Sequence, residues 1–441
     1  MASSFQQAND AHGKALSLNL DGSFYGTMAE IGAGQEVARC FLSVGAASGT
    51  VAKTISAYDK TVSDEIYGAG TRYVSEDRLR AMLDREYKLL LKRLESTYGQ
   101  HKLFFVFADT VAARNYQGTN QQHGWLGIRF QAESAAEPSQ ILVHINLMDE
   151  TARLQQEAVG ILGVNLIYAA FHQRSRAETL LAGLFDNLSI TRIEIDVIRI
   201  GGPAFVNEDS NKWCLELLSR KMAHGVVFGS HGGSVEPSGV LRKRPIVVMR
   251  GTFDHSELLH TGLLQPAKKQ LVAEGTGFER EPVTVLELTT RHVTRAGSPE
   301  NSEMLRRIQA LTPFCPVIAS DFPETYLLSR YLRRHSTEPV RFVMSIAAAA
   351  KIMNESFYGD LPGAMLEGLG KLLGTNVKVY VAPMSRQSFL AAMGDMRPMN
   401  AIREPEKELV GLGDLIPAAP VCHLLDYLRT SGRILALTDL P

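Results

Sequence analysis

Residues 246–260, IVVMRGTFDHSELLH, read as a short apolar strand, a turn at Gly251 and the first turns of a helix. The same unit recurs on both sides of it. Helix 209–223, strand 225–229, strand 245–250, helix 256–274, strand 283–288, helix 301–312, strand 315–320, helix 322–335, strand 340–345, helix 361–374 and strand 376–381 largely take turns along the chain. Apolar runs of four to seven residues alternating with amphipathic ones imply βαβ units, in which crossover helices cover a sheet. The expected fold class is therefore α/β, with a mostly parallel or mixed sheet covered by helices.

Upstream, ITRIEIDVIRI (190–200) puts Ile193, Ile195 and Val197 on one face and Arg192, Glu194 and Asp196 on the other, a strand with one face wet or lying against polar groups. The pattern slips at Ile198 and Arg199. Residues 102–108, 124–130 and 141–147 are further strands, followed by a long helix at 151–171. Ser75 starts an amphipathic helix in which Leu79, Met82, Leu83, Tyr87, Leu90, Leu91 and Leu94 recur at three- and four-residue steps. The organisation read from these signals is a flexible polar arm at 1–22, an α-rich N-terminal region at 23–100, a first α/β unit at 101–240, a second at 241–382, and a C-terminal extension at 383–441 closed by a helix in VCHLLDYLRTSGRIL.

With 46 basic against 47 acidic residues there is no overall field to gather a polyanion, which argues against generic binding to nucleic acid or an acidic membrane. A hydrophobic fraction of 45% excludes a disordered chain. The four cysteines, Cys40, Cys214, Cys315 and Cys422, form no CxxC or Cys/His cluster, so neither a zinc module nor a disulfide framework is expected, no metal is assigned, and the compartment implied is the reducing cytoplasm. The polar N-terminus lacks the apolar core of a signal peptide, and no run of about 18 apolar residues suggests a membrane span.

Chemistry concentrates at the predicted strand ends. The 250–260 segment approaches the nucleotidylyltransferase pattern GxFxPxHxGH, in which a glycine admits phosphate to backbone amides and two histidines stabilise the transferring group. Gly251, Phe253 and His260 match it, whereas His255 stands for the proline, Glu257 for the first histidine and Leu259 for the second glycine. A capping box of Asp254 and Glu257 accounts for the same residues. His260 is the catalytic candidate that remains, with Arg250 or Lys243 neutralising charge. Arg250, Gly251, Thr252 and Ser320, with Thr289, Thr290 and Ser345 nearby, share one sheet edge if the strands are parallel, and are the expected binding residues for a nucleotide or another phosphorylated small molecule. No particular cofactor is implied.

Other segments have simpler readings. GAASGTVAKT (45–54) has Ala52 where a phosphate loop needs glycine before Lys53. GSHGGSVEPSG (229–239) around His231 reads as a hairpin connection before a mobile lid, and Arg242, Lys243 and Arg244 as solvated surface. Asp321 reads as a helix cap with Glu324 three residues on. Gly32 and Gly34 suit a helix N-terminus but show no preceding strand.

Over nearly its whole length beyond residue 20 the chain resembles a family of bacterial proteins of unknown function, through AEIGAGQEVAR (29–39), KTISAYDKTVSDEIYG (53–68), QQEAVGILGVNLIYAAF (155–171), DNLSITRIEIDVI (186–198), RGTFDHSELLH (250–260), GAMLEGLGKLLGTNVKVYVAPM (363–384) and HLLDYLRTSGRI (423–434). Members carry the label nicotinate- or nicotinamide-nucleotide adenylyltransferase, or TonB-dependent receptor. The receptor label conflicts with a chain that shows neither signal peptide nor repeated amphipathic barrel strands. The resemblance implies the α/β fold and a cytoplasmic location, and brings no catalytic residue. A second expectation is a scaffold whose catalytic site is lost, from the departures at His255, Glu257 and Leu259 and the near-neutral charge, and it should be oligomeric, because helices such as 155–171 are apolar around much of their circumference and would need covering on more than one side.

Overall fold

A computed structural model describes residues 10–70, 72–253, 262–275, 277–290, 301–394, 400–403 and 406–440. The chain divides into two units, Met1–His224 and Gly225–Pro441. The boundary expected at residue 240 moves upstream, because the strands at 225–228 and 234–235 pair into the second unit's sheet.

The first unit opens with a helix, α1 (Ala11–Asp21), where a flexible arm was expected. Asp10 caps it by accepting from the Gly13 amide, and Ala15 and Leu18 are fully buried on one side. Buried Lys14 reaches Asn165 Oδ1 (2.7 Å) and Asp186 Oδ2 (2.6 Å), so polar residues that look solvated in sequence anchor the segment. Residues 1–9 of the expected arm lie outside the described residues. There follow β1 (Phe24–Ile31), α2 (Glu36–Ser43), β2 (Val51–Ile55), α3 (Lys60–Tyr67), α4 (Glu76–Tyr98), β3 (Leu103–Ala112), β4 (His123–Phe130), β5 (Ser139–Leu147), α5 (Ala152–His172), α6 (Ala177–Leu184), β6 (Ile193–Gly201) and α7 (Ser210–Ser219).

The sheet order is β2-β1-β3-β4-β5-β6, parallel across β2, β1 and β3 and antiparallel from β3 onward. Helix α5 packs on α1, α2, α6 and β4 of its own unit, with Ala158, Leu162, Leu166 and Ala170 fully buried. Its broad apolar surface is therefore covered within the chain, and, contrary to expectation, this helix needs no second copy to shield it. Gly160 and Gly163 permit the close approach of α2, since a Cβ on Gly163 would lie 2.3 Å from Val37 Cγ2.

Strand β6 shows why the alternation slips. His144 pairs with Val197 and Ile145 with Ile195, leaving Asp196 as the extra residue of a β-bulge. Neither Glu194 nor Asp196 is wet; both are fully buried and accept hydrogen bonds, Glu194 from the His224 amide at 2.9 Å.

The second unit contains β7 (Gly225–Phe228), β8 (Ser234–Val235), α8 (Pro237–Leu241), β9 (Ile246–Gly251), α9 (Leu264–Ala273), β10 (Val283–Thr289), α10 (Asn301–Leu311), β11 (Val317–Ser320), α11 (Thr325–His335), β12 (Val340–Ser345), α12 (Ile346–Ile352), α13 (Ala364–Leu372), β13 (Val377–Ala382), α14 (Arg386–Met393), α15 (Val421–Thr430) and β14 (Ile434–Ala436). Two short antiparallel pairings, 384–385 with 409–410 and 400–402 with 415–417, organise the extension. The expected closing helix ends at Thr430, and Ile434–Ala436 instead adds a strand parallel to β13.

The sheet order is β14-β13-β12-β9-β10-β11-β7-β8. The six strands from β14 to β11 are mutually parallel, and β7 and β8 form an antiparallel edge. Such strands are buried on both faces, which is why Ile246, Val247 and Val248 are all fully buried and why the sequence shows continuous apolar runs. Among the described residues no helix is long and apolar enough to cross a membrane.

Candidate functional site

Counting the parallel strands in chain order from β9, the second sheet runs 6-5-4-1-2-3. β9 and β12 are neighbours although β10 and β11 intervene in the chain. At such a reversal the connections leave the two strands in opposite directions, opening a crevice beyond their C-terminal ends. A cavity of about 350 Å³ lies there, lined by Arg250, Gly251 and Thr252 from the end of β9, by Phe342, Val343 and Met344 from β12, and by residues of α11, α12 and the turn at 355–358.

The structure brings three of the four expected binding residues to this cavity; Ser320 is not among its lining. Ser320 is fully buried and donates its hydroxyl to Glu287 on β10. The other Glu287 oxygen lies 3.0 Å from Arg250 Nε, an ion pair without hydrogen-bond alignment. Burial raises the Glu287 carboxyl above its ordinary value, against the opposing pull of the Arg250 charge and the Ser320 hydroxyl. Arg250 also donates to the Phe322 carbonyl. The expected anion-binding arginine is thus already compensated by a buried acid that sequence reasoning missed, because Glu287 sits inside the strand VTVLELT with no motif around it.

The Phe322 carbonyl also accepts from Thr289 Oγ1 at 3.4 Å, which fixes the 321–324 stretch outside the helix. Helix α11 begins at Thr325 with Glu324 at its N-cap position, correcting the expectation that Asp321 caps it. Beside the cavity the Thr252 carbonyl accepts from Arg307 (3.3 Å), and buried Phe253 adopts a left-handed φ of 47°, a conformation disfavoured for an aromatic residue.

Several cavity residues carried no sequence signal. Tyr326, Phe342, Phe357 and Tyr358 supply aromatic walls, and the Tyr358 hydroxyl is tied to the Ile352 carbonyl (2.7 Å). Lys351 supplies a cation at the exposed end of α12, and among the described residues it makes no ion pair. These side chains come from β12, α11, α12 and the following turn, so their convergence depends on strand order and not on spacing in the chain.

His260, His255, Glu257, Leu259 and Asp254 lie outside the described residues. The remaining candidates take their simpler readings. Of the 229–239 segment, residues 229–233 connect β7 and β8 as a hairpin with exposed His231, and Lys243 pairs with Glu279 at 3.0 Å on the surface. In the first unit Lys53 pairs with Glu86. Gly32 and Gly34 do follow a strand, β1, contrary to expectation, but the N-terminus of α2 is occupied: Glu30 accepts from the Val37 and Ala38 amides at 3.0 and 2.9 Å.

No protein-family model and no curated protein sequence matches the chain. Solved structures of the competence/damage-inducible type are distantly similar. The CihA protein of Agrobacterium tumefaciens shares 15% identity over 36% of this chain and 94% of its own, with a TM-score of 0.28. CinA superfamily proteins from Enterobacter cloacae (11% identity, 37% and 90% coverage, TM-score 0.27) and Escherichia coli (14%, 42% and 94%, 0.26) are comparable. Likeness at that distance transfers neither residues nor activity.

Proposed function

We propose that the Gly225–Pro441 unit is a Rossmann-like ligand-binding domain whose cavity takes a nucleotide or another phosphorylated small molecule with a planar ring. The observation that carries this is the position of the cavity at the C-terminal ends of β9 and β12, where the sheet order reverses. Its size falls within the roughly 300–1,000 Å³ of small-molecule sites. The aromatic walls suit a heterocycle, and Lys351, not Arg250, is the cation available to a phosphate.

The test is isothermal titration and thermal shift of the full chain with NMN, NaMN, ATP and NAD, accompanied by product analysis of each mixture. Saturable binding to at least one, weakened by Lys351→Glu, is expected. Silence toward all four at millimolar concentration overturns the reading. Formation of a dinucleotide from ATP and a mononucleotide would extend it to adenylyl transfer, with His260→Ala as the decisive variant.

A further inference from the structure

The first unit holds a buried polar centre across β4, β5 and β6. Asp196 Oδ1 lies 2.5 Å from His144 Nδ1, and His144 Nε2 lies 3.0 Å from His123 Nδ1. The second Asp196 oxygen accepts from Asn146 Nδ2 at 2.7 Å. All four side chains are buried, Asp196 completely and His144 to within 1%. The indole of Trp125 packs on His144 with ring centroids 5.1 Å apart.

This arrangement is built by the backbone. His123 and His144 occupy diagonal positions on paired antiparallel strands, since His123 is the register partner of Asn146 and Trp125 that of His144. Asp196 is the bulged residue of β6, and a bulge re-aims a side chain that regular alternation would turn to the other face. A carboxylate only accepts, so it holds the His144 proton on Nδ1 and directs the Nε2 lone pair toward His123.

We propose that His123 and His144 are ligands to a divalent transition metal of the zinc class, with Asp196 orienting His144 from behind. Three observations support it. The carboxylate–imidazole pair has the form of the outer shell that fixes metal-bound histidines. Two imidazole nitrogens 3.0 Å apart are each within reach of one ion at about 2.0–2.1 Å. Among the described residues, the hydrogen-bond partners of fully buried Asp196 are an imidazole and an amide, with no lysine or arginine; a dication on the far side of the His144 ring offsets the cost of burying a carboxylate there. Coordination places the His123 proton on Nε2, water completes the coordination shell left by the two imidazoles, and imidazole donors favour zinc, copper, nickel or cobalt over magnesium or calcium. The cysteine count argued against a zinc module, but histidines 21 residues apart on neighbouring strands leave no spacing motif in sequence.

The test uses chelator-treated full-length protein. Titration with Zn²⁺ in a calorimeter should show one equivalent bound, and Co²⁺ should quench Trp125 fluorescence and give the visible absorption of nitrogen-coordinated cobalt. His123→Ala with His144→Ala should abolish both signals, and Asp196→Asn should weaken Zn²⁺ binding about 10- to 100-fold. Trp125→Phe, which leaves Trp213 in place, should retain Zn²⁺ uptake and lose the quenching. If a histidine variant does not fold, the wild-type signals still decide. Wild-type protein that takes up no equivalent of Zn²⁺ and shows no Co²⁺ absorption overturns the proposal, as does uptake undiminished in the folded double variant.

Discussion

Glu30 and Asp109 are register partners on the parallel strands β1 and β3, and both are shut away from solvent. Glu30 holds the first turn of α2, and Asp109 Oδ1 accepts from the Ile31 amide at 3.0 Å. Among the described residues, Asp109 Oδ2 has no hydrogen-bond partner. Burial pushes Glu30 up to about 7, and burial with the neighbouring Glu30 charge pushes Asp109 well above the ordinary carboxylate range.

These raised values make the first unit less stable as pH rises. The unfolded chain loses the protons near pH 4–4.5 while the folded chain keeps them longer, so the stabilisation is complete at low pH and is lost as pH rises through the folded values. Denaturant unfolding between pH 5 and 8, followed by fluorescence of Trp125 and Trp213, should show a loss on the order of 1–3 kcal/mol. Both tryptophans of the chain lie in this unit. Asp109→Asn should flatten the dependence; an unchanged pH profile in that variant would refute the assignment.

The Arg250–Glu287 pair should behave as structure before it behaves as a binding site. Removing Arg250 takes the ion-pair partner from the fully buried Glu287 carboxylate and leaves it the Ser320 hydroxyl, a kind of change that typically costs about 3–5 kcal/mol. Arg250→Met should therefore lower the melting temperature without any ligand present, and more so toward high pH, because burial raises the Glu287 carboxyl and only its ionised form needs the arginine. The double variant Arg250→Met/Glu287→Met should recover most of the loss. Equal destabilisation in single and double variants, read by circular dichroism, would show that the charges are not coupled.

Close packing of α2 on α5 supplies a third expectation. A methyl on Gly163 would meet Val37 Cγ2 at 2.3 Å and Phe107 Cζ at 2.9 Å, both on fully buried side chains. Alanine is the better helix former by about 1 kcal/mol, yet overpacking of this kind costs about 1–3 kcal/mol. Gly163→Ala should lower the denaturation midpoint followed by tryptophan fluorescence, and a higher midpoint would mean that the contact yields without strain.

The parallel sheet of the second unit was legible because strands buried on both faces are largely continuous apolar runs, as in Ile246–Met249 and Val317–Ala319. Strand order was not legible, and with it went the reason that β9 and β12 flank one cavity. Strand β1 escaped notice since Gly26 and Glu30 interrupt its apolar run: Gly26 admits Phe105, and Glu30 turns to cap α2. Asp196 was visible as a polar position, but its turn toward His144 needed the bulge. Arg250 was correctly placed at a strand end; its partner Glu287, one strand away, decided what its charge is for.

Lys351 and Tyr326 give the sharpest division of labour in the cavity. Lys351 lies at the exposed end of α12, and Tyr326 lines the cavity from the first turn of α11. A phosphate should engage the lysine and a heterocycle the aromatic walls, so the two substitutions should discriminate between ligand parts. Lys351→Glu should weaken a nucleotide about tenfold or more while leaving the corresponding nucleoside nearly unaffected, because exchanging a cation for an anion penalises only the charged group. Tyr326→Ala should weaken both alike. Ligand at a hundredfold excess over Kd stabilises a folded unit by about 2.7 kcal/mol, several degrees in melting temperature, which makes thermal shift adequate to rank the four combinations. Nucleotide and nucleoside losing equally on Lys351→Glu would remove phosphate from the account of this site.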